Sequence, residues 1–130
     1  MQIHHVGYLV KKLDKAAASM EALGFLPVGE KCHDAGRQAD FLFLANGGYT
    51  VELVAPEKES PLYPLLKQYT NSPYHLCYEC EHLEETIAAL AEKKYMLFKA
   101  PEAAPAISPT ARVAFLMSAS AGMIELVEGA

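Results

Sequence analysis

The chain has 130 residues, 52% of them hydrophobic and 21% charged, a composition that suits one soluble globular domain and leaves little room for linkers or disorder. Its 16 acidic and 11 basic residues give a net charge of −5 with no basic run, which argues against nucleic acid or an anionic membrane surface as partner. Met1, Gln2, Ile3, His4 and His5 open no basic segment leading into a long apolar run, so no signal peptide or membrane span is expected and a cytoplasmic location is the default. Three cysteines, an odd count, point away from a disulfide framework.

Residues 3–10 are rich in β-branched and aromatic types and read as a strand. A helix follows, with Leu13, Ala17, Met20 and Leu23 on one stripe, Asp14 as its N-cap and Gly24 as its stop. Three further strands are expected: residues 25–28 running on toward Cys32, residues 40–45 and residues 49–55. Asn46, Gly47 and Gly48 supply hairpin-turn chemistry between the last two. His33, Asp34 and Arg37 fall in an expected loop, where solvation is the simplest account. Ser60 and Pro61 open a connector helix with Leu62, Leu65, Leu66 and Tyr69 at helical spacing.

The plan then repeats. Residues 74–79 read as a strand, and a helix carries Leu83, Ile87 and Leu90 on one face, with Glu84 and Glu85 at its start and Lys93 and Lys94 at its end, the charge order that suits the helix dipole. Strands are expected over residues 95–99, 112–118 and 123–128. Residues 100–109 hold three prolines and no periodicity, so they read as a loop long enough to cover a site. Cys77 and Cys80 have the spacing of a redox or zinc pair. On a strand, however, residues three apart point to opposite faces, so two small buried side chains are the better reading.

The two stretches align. His5, Gly7 and Tyr8 match His75, Cys77 and Tyr78 at an offset of 70 (75 − 5), residues 41–44 match 113–116 at 72 (113 − 41), and residues 51–54 match 124–127 at 73 (125 − 52 for the two glutamates). A duplicated unit follows, with small insertions in the loops of the second copy. Glu52 and Glu125 sit among residues that want burial, and a buried carboxylate is costly unless a cation or several donors meet it. The same anomaly at equivalent places in both copies points to a shared cation, with His5 and His75 as further donors. Two imidazoles and two carboxylates suit Ni²⁺, Co²⁺, Zn²⁺, Fe²⁺ or Mn²⁺, with positions left for water or substrate. His4 points to the other face from His5, and His82 precedes a helix and is expected to be exposed.

These residues resemble the vicinal oxygen chelate superfamily, which includes glyoxalase I, methylmalonyl-CoA epimerase, extradiol dioxygenases and bleomycin- and fosfomycin-resistance proteins. The resemblance runs through residues 4–16, 51–56, 72–79 and 113–128, nearly the whole chain. It implies an α+β fold: two tandem β-α-β-β-β modules forming a curved, mostly antiparallel eight-stranded sheet around a metal site. The expected organisation is one domain over residues 1–130, with module one about 1–56, a connector about 57–72 and module two about 73–130. The metal ligands carry over onto His5, Glu52, His75 and Glu125.

Two activities compete within that resemblance, and both remove a proton next to a carbonyl while the metal holds the resulting enediolate oxygens. The first is glyoxalase I (lactoylglutathione lyase), which turns a 2-oxoaldehyde–thiol hemithioacetal into a 2-hydroxyacyl thioester; its His, Glu, His, Glu ligand pattern is complete here. Glu125 is then the base and Glu52 a ligand that could assist, although nothing in the residues distinguishes the two carboxylates. The alternative is methylmalonyl-CoA epimerase, which needs a second acid/base; Asp40 is the candidate. A departure counts against it, since many epimerases have paired histidines where this chain has Tyr74 and His75. The expected partner is therefore a thiol adduct or an acyl-CoA, with Arg37, Lys99 and Arg112 as the cations available for its acidic groups, and a homodimer is implied. A third possibility is a metal-free drug- or metabolite-binding protein of the resistance type, but such proteins usually lack the ligand set.

Overall fold

The computed structural model describes all 130 residues. In chain order the elements are β1 (Ile3–Leu9), α1 (Leu13–Glu21), β2 (Leu26–Asp34), β3 (Ala39–Asn46), β4 (Tyr49–Pro56), a 3-10 turn (Tyr63–Leu65) running into α2 (Leu66–Tyr69), β5 (Ser72–Glu79), α3 (Leu83–Ala91), β6 (Met96–Ala103), β7 (Arg112–Ser118) and β8 (Gly122–Glu128). The α+β class and the repeated β-α-β-β-β order are as expected. No helix is long and apolar enough to cross a membrane. The residues group into two compact units, His5–Tyr74, and Met1–His4 together with His75–Ala130.

In the first unit the strands lie in the order β2-β3-β4-β1. β3 and β4 form an unbroken antiparallel ladder from Ala39↔Pro56 to Asn46↔Tyr49, turning at Gly47, whose φ of 60° is one that glycine adopts without strain. β1 joins β4 in parallel, with Gly7 opposite Glu52. Side chains alternate along a strand, so each ladder position assigns a face. Leu44, Val51 and Leu53 take one face and pack with Val10 against Leu13 and Ala17 of α1. Phe43 and Glu52, opposite one another in the ladder, take the other.

The second unit repeats this arrangement with β5-β8-β7-β6. β5 joins β8 in parallel, with Cys77 opposite Glu125, and β7 pairs antiparallel with β8, with Phe115 opposite Glu125. Leu83 of α3 packs on Ala114, Leu116, Ile124 and Leu126. The start of β1 belongs here: the Glu79 N–H donates to the Gln2 carbonyl at 2.9 Å.

Three local expectations are corrected. The backbone at Lys12 is extended (φ −131°, ψ 110°), so α1 begins at Leu13 and Lys12, not Asp14, is the N-cap; Asp14 falls in the first turn, where its charge suits the helix dipole. β6 continues through Pro101 to Ala103, where a loop was expected, because β6 is the last strand of its sheet and a proline there interrupts no ladder on its outer side. The loop that remains is tied down, with Ala104 and Ala111 buried and the Ser108 and Thr110 hydroxyls both donating to the Gly129 carbonyl. Finally, His33 and Asp34 end strand β2 and are not loop residues.

Candidate metal centre

Each unit places one histidine beside one glutamate on the sheet face opposite its helix. In the first, His5 Nε2 lies 3.3 Å from Glu52 Oε1, and both side chains are excluded from solvent. In the second, His75 Nε2 lies 3.3 Å from Glu125 Oε1, again with both buried. The surroundings are duplicated too. Phe43 meets the His5 ring edge-on at a centroid distance of 5.3 Å and an interplanar angle of 81°, and Phe115 meets His75 at 5.1 Å and 85°. Such T-shaped contacts are favourable and restrict the swing of each imidazole.

The separation within each pair bears on what they hold. A charge-assisted N–H···O⁻ bond is about 2.7–2.9 Å long, so 3.3 Å is loose for a direct ion pair. Two donors each about 2.1 Å from one ion and at square to tetrahedral angles stand roughly 3.0–3.4 Å apart. Glu52 Oε2 is buried with no hydrogen-bond partner, an arrangement that costs free energy unless a cation meets it. Neutral imidazole nitrogens and carboxylate oxygens are donors suited to a first-row divalent ion. The residues therefore fit such a group.

Asp40 is placed elsewhere. It stands opposite Ala55 in the β3/β4 ladder, three residues from Phe43 and thus on the α1 side of the sheet. There its Oδ1 accepts from His33 Nδ1 at 2.7 Å, while His33 Nε2 lies 3.5 Å from Glu57. The hydrogen bond to Asp40 raises the His33 pKa. Facing away from Glu52, Asp40 is not positioned to act on a substrate held there.

The three cations nominated for an acidic substrate already have carboxylate partners. Arg37 is 3% exposed, not solvated as expected; its Nε donates to Asp34 at 2.8 Å and its guanidinium lies 4.1 Å from the Phe41 ring centroid. Burial pushes the Asp34 pKa up, but the Arg37 hydrogen bonds outweigh it and hold the carboxyl below its ordinary value. Lys99 pairs with Glu102 at 2.9 Å, and Arg112 pairs with Glu84 and Glu128 at 2.7 and 2.9 Å. Phe43 and Phe115 carry no chemistry that marks them as site residues, although their match at an offset of 72 (115 − 43) is visible in the two copies. Cys32, Cys77 and Cys80 are free thiols.

A family model described as the glyoxalase/bleomycin resistance protein/dioxygenase superfamily matches residues 4–127. The chain belongs to that superfamily. Among solved structures it is similar to a hypothetical protein from Bacillus halodurans, at 22% identity over 99% of this chain and 94% of that one, with a TM-score of 0.83. It is also similar to methylmalonyl-CoA epimerase from Mycobacterium tuberculosis, at 23% identity over 98% of this chain and 87% of that one, with a TM-score of 0.80. A third is a Streptomyces coelicolor methylmalonyl-CoA epimerase variant in complex with 2-nitronate-propionyl-CoA, at 19% identity over 100% and 99% of the two chains, with a TM-score of 0.81. At these identities the likeness shows the fold. No curated protein matches in sequence.

Proposed function

We propose that His5, Glu52, His75 and Glu125 together hold one divalent ion, and that the protein is an enzyme moving a proton from carbon next to a carbonyl in a thiol adduct or thioester. The observation that carries this reading is the doubled His–Glu pair, buried in each unit with the same 3.3 Å contact and the same edge-on phenylalanine. When bound, the ion supplies Lewis-acid polarisation of the substrate oxygens, which lowers the cost of removing the neighbouring proton. Glu125 takes that proton and returns it to the adjacent carbon, converting a hemithioacetal into a 2-hydroxyacyl thioester. Glu52 holds its place beside His5 and stands as the assisting carboxylate. The buried phenylalanine-lined surroundings keep the electrostatics strong, since charges interact more strongly where water is excluded.

A second reading, epimerisation of an acyl-CoA, is supported by the fold shared with epimerases, one of them solved with a CoA ligand. With Asp40 on the far side of the sheet, its two acid/base groups would have to be Glu52 and Glu125. A paired assay separates the readings: turnover of methylglyoxal–glutathione hemithioacetal and of methylmalonyl-CoA across Ni²⁺, Co²⁺, Zn²⁺ and Mn²⁺. We expect turnover of the hemithioacetal, abolished in Glu125→Gln together with weaker metal retention. An unaltered rate in that variant removes Glu125 from the mechanism, and activity on methylmalonyl-CoA alone selects the epimerase.

A further inference from the structure

The border strand of the second unit, β6, distributes its exposure against chemical preference. Met96, Leu97 and Phe98 are 73, 50 and 49% exposed, whereas the Lys99 side chain is 20% exposed. Apolar groups meet the water and the ammonium is drawn in, the reverse of the usual order. The ladder gives the direction it faces. Lys99 stands opposite Phe115, and Phe115 opposite Glu125, so the three side chains form one row on the face that carries His75. With strands about 4.8 Å apart, Lys99 starts about 10 Å from Glu125 along that row. Arg112, by contrast, stands on the α3 side of the same sheet, where it meets Glu84 and Glu128.

The backbone is shaped to hold that orientation. β6 shifts register twice, between Leu97 and Lys99 and again between Lys99 and Glu102. Bulges re-aim side chains and gather beside active sites. Three residues apart on a regular strand, Lys99 and Glu102 would face opposite ways; the second bulge turns both to one side, where Nζ and Oε1 stand 2.9 Å apart. The first unit has no such pair at the matching places. Opposite Phe43 and Phe41, the counterparts of Phe115 and Val113, it sets Val28 and Cys32.

We propose that Lys99 selects the substrate: its ammonium binds a carboxylate on the thiol portion of the molecule whose reacting carbon lies at Glu125. This rests on the reading of the His75–Glu125 face as the site of proton transfer. Before substrate arrives Glu102 holds the ammonium in place, and a contact between two partly exposed charges is weak enough to yield to an incoming carboxylate. Glu102 also defines the class of anion. One ammonium that already accepts a carboxylate suits a second one in exchange, whereas a doubly charged phosphate leaves negative charge unbalanced where water is scarce.

Calorimetric titration of the protein in buffer containing Zn²⁺ with S-methylglutathione and with its diamide tests this, because the two match in shape and neither reacts. The free acid is expected to bind about tenfold more tightly, the weight of a charge-assisted contact. Lys99→Gln should remove that preference and Lys99→Arg should keep most of it. Glu102→Gln, which deletes the competing carboxylate, should strengthen binding of the free acid. Three results overturn the assignment: equal binding of acid and diamide by the natural protein, a preference that survives in Lys99→Gln, or a loss in Glu102→Gln as large as in Lys99→Gln, which a merely structural pair would give. S-methyl-CoA losing as much affinity in Lys99→Gln as S-methylglutathione makes the anion a phosphate and overturns the carboxylate. None of these measurements needs turnover, so an inactive hemithioacetal assay with the acid preference intact removes the proposed reaction and leaves Lys99 as the carboxylate's partner.

Discussion

Phe115 is buried, meets the His75 ring edge-on and stands opposite Glu125 in the β7/β8 ladder, so one side chain neighbours both members of that His–Glu pair. Replacing it by alanine should cost about 3–5 kcal/mol of stability, as aromatic truncations in cores do. Metal affinity should fall further than in Phe115→Leu, which keeps most of the volume; isothermal titration of the two variants decides this. Asp40 offers the opposite case. Asp40→Asn should leave turnover unchanged while the His33 pKa, followed by NMR, drops toward its ordinary value. Because that pKa is raised in the folded protein, the contribution of His33 to stability is complete below its ordinary value and fades as pH rises through the raised one. The sequence exposed the histidines and glutamates because charge amid β-branched residues is anomalous. It hid Arg37, since a lone Asp34–Arg37 spacing of three looks the same whether the turn is solvated or folded inward onto Phe41.

At the level of elements, the two hairpins that carry Glu52 and Glu125 followed directly from alternation and turn chemistry, whereas the ends of elements did not. Pro101 reads as a strand breaker until β6 is known to be an edge, and edge position is a property of the assembled sheet. Tethering of the 104–111 segment to the last strand likewise depends on a contact far along the chain. Gly129 permits it: φ is +76°, and an added Cβ would stand 2.7 Å from the Thr110 carbonyl oxygen. Gly129→Ala should therefore destabilise the protein by about 1–3 kcal/mol, the cost typical of a strained backbone position, with earlier amide exchange in 104–111 than elsewhere.

For the molecule as a whole, the proposed sharing of one ion by His5, Glu52, His75 and Glu125 would tie stability to metal. Dialysis against a chelator should lower the melting temperature and Ni²⁺ or Zn²⁺ should restore it, as mass action requires of a ligand that binds only the folded state. His5→Ala and His75→Ala should each lose most of that gain; if either variant keeps it, the two pairs do not act on one ion. The duplication itself was legible from offsets of 70, 72 and 73. What the offsets could not reveal is that the N-terminal tip leaves its own copy, Gln2 serving as acceptor for the Glu79 amide. A plasmid encoding only the later copy would thus yield a fragment with a raw strand border, prone to stick to its neighbours, and any affinity tag fused ahead of Met1 would press first on the half of the polypeptide farthest from it in the gene.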